Sequence, residues 1–140
     1  MQLSLDELAE LFEGRTRFVE LLAERANPLG VAREVARSLS EAEKKEVLDA
    51  HPAIGAKTLS ARSAAEQGTE ADPAVAEELT RLNREYEERF GFRFVVFVNR
   101  RPKSEIVPIL RERLERTQEQ ELDTALDELV SIAEDRWTRS

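Results

Sequence analysis

Phe92-Arg93-Phe94-Val95-Val96-Phe97-Val98 is the most β-prone run of the chain, dense in aromatic and β-branched residues. It has no second strand to pair with, because the other apolar stretches carry helical spacing. A strand without a partner leaves its main-chain donors and acceptors unaccounted for, and buried backbone groups need partners. The segment is therefore either helical against its propensity, or extended with its main chain paired to loops, water or a ligand. In both cases the chain reads as all-α: a single-domain helical bundle over 1–140 with one short apolar extended or irregular segment near 92–98.

Working outward from that run, the flanking signals are firm. Asp72-Pro73 starts a helix, with Asp at the N-cap and Pro at the first helical position. It carries Leu79, Leu82, Tyr86 and Phe90 and stops at Gly91. Downstream, Ser104 reads as the cap of a helix with Ile106, Val107, Ile109 and Leu110, its first turn bent or shortened by Pro108. The last helix, roughly Glu119 to Trp137, repeats Leu122, Leu126, Leu129, Ile132 and Ala133 at helical spacing.

Upstream, Ser63-Ala64-Ala65-Glu66 is a capping-box pattern that opens a helix, and 52–62 reads as loop. Ser40 and Glu43 form the same pattern at the start of a helix ending at Ala50. Before it come a helix over about Val31 to Arg37, a turn at Asn27-Pro28-Leu29-Gly30, a helix capped by Thr16, and a short one from Leu5 to Phe12.

With 29 acidic against 21 basic residues and a net charge of −8, the chain lacks the basic stripe that nucleic acid requires, and it is repelled by acidic membranes. No apolar run reaches the length of a membrane span, and the N-terminus lacks a signal-peptide pattern. The chain has no cysteine and one histidine, which excludes disulfides and thiolate metal sites and leaves a metal carboxylates almost alone. A metal-free, cofactor-free cytoplasmic protein is expected, and apolar residues on several helices are compatible with a homodimer.

The single histidine, His51, sits at a helix end before Pro52, which pushes it toward extended geometry. It is the one side chain here whose ordinary pKa allows proton exchange near neutrality. Taken singly, each candidate has a plain structural account. His51 can interact with the last helical carbonyls, Ser63 and Glu66 can cap, Arg136 can complement a helix C-terminus, and Phe94–Val98 can be core.

Taken in order, His51-Pro52, Ser63-x-x-Glu66-Gln67, Leu82-Asn83-x-x-Tyr86-x-x-x-Phe90-Gly91-Phe92-x-Phe94-Val95-Val96 and Ile132-Ala133-x-x-Arg136 resemble one family from about Leu5 to Trp137. It is the family of 2-oxo-4-hydroxy-4-carboxy-5-ureidoimidazoline (OHCU) decarboxylases, which produce (S)-allantoin in the last step of urate breakdown. The resemblance implies an all-α fold and cofactor-free decarboxylation of a small anionic substrate. It implies that His51 transfers the proton and that Glu66 is its catalytic partner. It further implies that Pro52, Ser63, Ala64, Ala65 and Gln67 line the substrate site with the main chain of Phe94, Val95, Val96, Phe97 and Val98, and that Arg136 binds the anion.

The chain departs from that pattern in a shorter stretch between His51 and Ser63. It also ends without the Ser-Lys-Leu peroxisomal signal of eukaryotic members. A helix C-terminus and a nearby carboxylate are expected to favour the imidazolium form of His51, suiting a general acid. Two other readings compete: an acidic helical adaptor domain, and the same fold acting on a different ureido or imidazoline ligand. The joint presence of His51, Glu66 and Arg136 favours the decarboxylase, because capping does not require the three together.

Overall fold

Helix-start chemistry sets most element boundaries. The computed structural model describes residues 2–52 and 72–139. Among them are seven helices, α1 Leu5–Leu11, α2 Arg17–Ala23, α3 Pro28–Ser38, α4 Glu41–Ala50, α5 Pro73–Phe90, α6 Lys103–Leu114 and α7 Gln118–Arg139, and no β-strand. The fold is all-α. Ser40 accepts from the Glu43 N–H while Glu43 accepts from the Ser40 N–H, and Ser4 with Glu7 does the same ahead of α1. Thr117 and Gln120 exchange the equivalent bonds at 3.1 Å ahead of α7. Asp72 accepts from the Ala74 N–H at 2.9 Å with Pro73 opening α5. That helix ends at Gly91, whose φ of 80° is readily reached by glycine.

Two boundaries differ from the sequence expectation. Asn27-Pro28-Leu29-Gly30 is not a free turn: Pro28 is the first residue of α3, and Asn27 occupies its N-cap position. Pro at the first helical position loses an N–H that would have been unpaired anyway, so the same residues that mark a turn also mark a helix start. Ser104 is not a cap: α6 begins at Lys103 with Pro102 at the N-cap and no side-chain cap bond. The helix then continues through Pro108 to Leu114.

The helices pack in two connected groups. Helix α2 lies against α1, α3 and α4, α7 contacts α1, α3 and α4, and α5 packs on α6. Phe18, Leu22, Leu48, Ala125 and Val130 are fully buried where these helices meet, at about 1.5–3 kcal/mol for each large apolar side chain. Arg33 and Arg37 reach across from α3 to Asp127 on α7. Those pairs are half exposed and add little beside the apolar burial. No helix among the described residues is long and apolar enough to cross a membrane.

Candidate active site

His51 is the C-cap of α4, with φ −80° and ψ 136°, and its N–H donates to the Leu48 carbonyl. The extended geometry favoured before Pro52 turns the chain out of the helix, and His51 is 8% exposed. Its Nδ1 is buried and has no hydrogen-bond partner among the described residues. The simple capping account therefore fails, because Arg93 rather than the imidazole serves the helix end. Arg93 Nη1 donates to the carbonyls of Asp49 at 2.9 Å and His51 at 2.6 Å.

The charge state also departs from expectation. Burial, reinforced by Arg136 and less so by Arg93, lowers the His51 pKa from 6.5 to about 4, against the opposing pull of Glu13. A short helix dipole and one carboxylate do not outweigh desolvation and two guanidinium groups. The free protein holds a neutral imidazole at pH 7.

Arg136, from the last turns of α7, is 1% exposed. Its Nη1 donates to the Leu11 carbonyl at 2.9 Å, and its Nη2 lies 3.1 Å from a Glu13 carboxylate oxygen. Glu13 occupies the left-handed region at φ 65° in the α1–α2 connection. A Cβ on the following Gly14 would lie 3.3 Å from the Ala50 Cβ, so this connection is seated against the last residue of α4. The Glu13-Gly14 pair thus carries a carboxylate to the His51 end of that helix. Sequence reasoning missed Glu13; Gly14 marked a break, but nothing local showed what the break faces.

The 92–98 run is neither helix nor strand. In an extended chain a residue's N–H and C=O share one edge, and successive residues alternate edges. At the odd-numbered residues, side chains take part of the main chain. Asp49 Oδ1 accepts from the Arg93 N–H at 3.0 Å, and Arg113 Nη1 donates to the Val95 carbonyl at 2.8 Å. Glu128 accepts from the Phe97 N–H at 3.3 Å, and Arg101 donates to the Phe97 carbonyl at 2.7 Å. On the other edge, the N–H and C=O of Phe94 and Val96 make no hydrogen bond among the described residues. Of the alternatives that the sequence left open, side chains hold main-chain groups of Arg93, Val95, Phe97 and Val98, while Phe94 and Val96 are bonded to no described residue.

A buried polar network stiffens this segment. Glu121, with no exposed surface, accepts from Arg113 Nε and from the Tyr86 hydroxyl at 2.7 Å, while Arg116 reaches its second oxygen at 2.8 Å. The Arg113 guanidinium also stacks over the Phe94 ring at 4.6 Å. Burial, with Glu121 adding to it, raises the Tyr86 pKa well above its ordinary value, so the phenol stays a donor.

The fold agrees with the similarity to known proteins. Residues 4–138 match the model of the family described as OHCU decarboxylase. The chain belongs to the OHCU decarboxylase family. A curated 2-oxo-4-hydroxy-4-carboxy-5-ureidoimidazoline decarboxylase of Haloferax volcanii is 36% identical over 94 residues, covering 64% of this chain and 56% of that protein. The protein of the same name from Amia calva is 34% identical over 106 residues, covering 69% and 61%. The chain thus spans less than two thirds of the length of these relatives. A crystal structure of OHCU decarboxylase in the presence of (S)-allantoin superposes with a TM-score of 0.79 at 23% identity, covering 95% of this chain and 96% of that one.

In this OHCU decarboxylase family member, the candidate site residues that are described come from four separate parts of the chain. His51 and half-buried Pro52 end α4, Arg136 comes from α7, Glu13 from the α1–α2 connection, and Phe94–Val98 from the extended segment. Glu66, Ser63, Ala64, Ala65 and Gln67 lie outside the described residues. Among the described residues no group of three or more His, Asp or Glu side chains converges as a metal site.

Proposed function

We propose that this chain, acting as one unit over 1–140, decarboxylates OHCU to (S)-allantoin without a cofactor, in urate degradation in the cytoplasm. The observation that carries the reading is the buried His51 imidazole with an unpartnered Nδ1. A buried polar atom without a partner is rare and calls for an account, and a bound substrate supplies one. The names of the Haloferax volcanii and Amia calva relatives support the substrate.

In the proposed chemistry the substrate is its own electron sink. The carbon that loses carbon dioxide adjoins a ring C=N bond, whose nitrogen takes the released pair and a proton from solvent. The neutral imidazole of His51 accepts the substrate's hydroxyl proton as that C–O bond becomes a carbonyl. The imidazolium then delivers the proton to one face of the adjacent ring carbon. One proton is consumed for each carbon dioxide released. The general-acid step expected from the sequence thus becomes the second half of a shuttle, because the free protein holds His51 uncharged.

Glu66 hydrogen-bonds the hydroxyl and orients it. The Phe94 and Val96 main chain takes the ureido and ring amides, with Pro52, Ser63, Ala64, Ala65, Gln67, Val95, Phe97 and Val98 around them. Arg136 offers positive charge to the carboxylate. The chain carries −8 overall, and salt screens distant charge beyond about 8 Å, so local cations decide capture of the anion.

The test is decarboxylation of freshly generated substrate, followed by circular dichroism for the chiral product. Wild type should turn over rapidly, and a folded His51→Asn variant should lose about 10²–10⁴-fold. No acceleration by folded wild type would remove the assignment, and near-normal His51→Asn activity would remove the shuttle.

A further inference from the structure

Arg93 stands between the two halves of the site. Its guanidinium grips the carbonyls of Asp49 and His51, its own N–H is held by the Asp49 carboxylate, and its Nε lies 3.4 Å from Glu87. The last carbonyls of a helix have no intrahelical donor, and a cation suits that end, so part of the arrangement is ordinary capping. Two features exceed capping. The shortest of the contacts, 2.6 Å, is to the carbonyl of His51 itself, beyond the last residue of α4. The tie is also reciprocal, since Asp49 holds the main chain of the residue that holds it. Arg93 directly precedes Phe94, whose main chain lies on the open edge. His51 and that edge therefore cannot slide past one another without breaking the tie.

We propose that Arg93 is a positioning residue that locks the main chain of His51 to the 92–98 segment, fixing the imidazole relative to the edge that receives the substrate. The inference rests on the decarboxylase reading above and adds the part that joins the proton carrier to the substrate cradle. Among the described residues, the charged groups acting on the imidazole are Arg136 from α7, Glu13 from the α1–α2 connection and Arg93 from the 92–98 segment. Asp49, on the same helix as His51, is tied to Arg93. Loss of Arg93 removes one of the two guanidinium groups that oppose protonation.

His51 is the sole histidine, so its ring signals in a nuclear magnetic resonance titration are unambiguous. Arg93→Gln, Arg93→Lys and Asp49→Ala are compared with wild type in that titration and in the decarboxylation assay. Arg93→Gln should lower kcat by about 10–10²-fold, the scale of a small misplacement, with KM held within about twofold. Its imidazole signals should shift and titrate at higher pH. Arg93→Lys, which keeps a charge and a donor for the carbonyls, should recover most of kcat. Asp49→Ala, which cuts the return bond and leaves the guanidinium, should lower kcat in the same direction by less and shift the imidazole signals without raising their titration, and it decides the matter if Arg93→Gln does not fold. A wild-type kcat in folded Arg93→Gln, or a rise in KM alone, overturns the proposal. If wild type does not decarboxylate OHCU, the functional reading fails, and the imidazole titration by itself decides whether Arg93 holds His51.

Discussion

On the proposed reading, the His51 imidazole, with a pKa of about 4, meets an arriving substrate without a proton, and this shapes the pH response. The dependence of kcat/KM on pH reports groups of the free enzyme. On the side of His51, kcat/KM should stay level from about pH 5 to 8 and fall about tenfold per unit below pH 4. A steady tenfold loss per unit above pH 4 would instead mark a histidine that must arrive protonated. The position of His51 was legible in the sequence because Pro52 acts on its immediate neighbour. Its charge state was not, because burial sets it first, and Arg136, Glu13 and Arg93 reach it from remote parts of the chain. The order of the motif residues carried the family, while the partners of Arg93 emerged only from the fold.

Among the elements, legibility followed locality. Ser40, Asp72 and Gly91 mark helix ends through bonds or backbone angles spanning a few residues, so the sequence displays them directly. Asn27-Pro28 fits a turn and a helix start equally well, and the choice falls to packing. Arg113 and Glu121 look in the sequence like one more pair on a charged face, yet they are buried together against Val95 and Tyr86. The two serines give a direct comparison. Ser40→Ala should cost about 1 kcal/mol in denaturant unfolding, the usual value of an N-cap. Ser104→Ala, inside the first turn of α6 with no cap bond, should stay within about 0.5 kcal/mol. Equal losses would mean that Ser104 caps in solution.

At the scale of the whole molecule, burial of a neutral histidine couples stability to acidity. The folded pKa of about 4 lies below the ordinary 6.5, so between these values the unfolded chain binds more protons. Stability should therefore fall as pH drops from about 6.5 to 4, by about 3 kcal/mol on this account. Urea unfolding at pH 7 and pH 4.5 checks this against His51→Gln, which should lose less on acidification. Parallel losses in both proteins would place the imidazole in contact with water in the native state. The bond from Arg136 to the Leu11 carbonyl joins residues 125 apart in sequence. It closes only after nearly all of this sequence has been synthesised, and so long a loop is entropically slow to close. A nascent chain that has already folded α4 therefore holds its histidine with no buried arginine from α7 beside it. The surroundings of His51 are complete only when α7 docks, so their assembly waits on the synthesis of that helix.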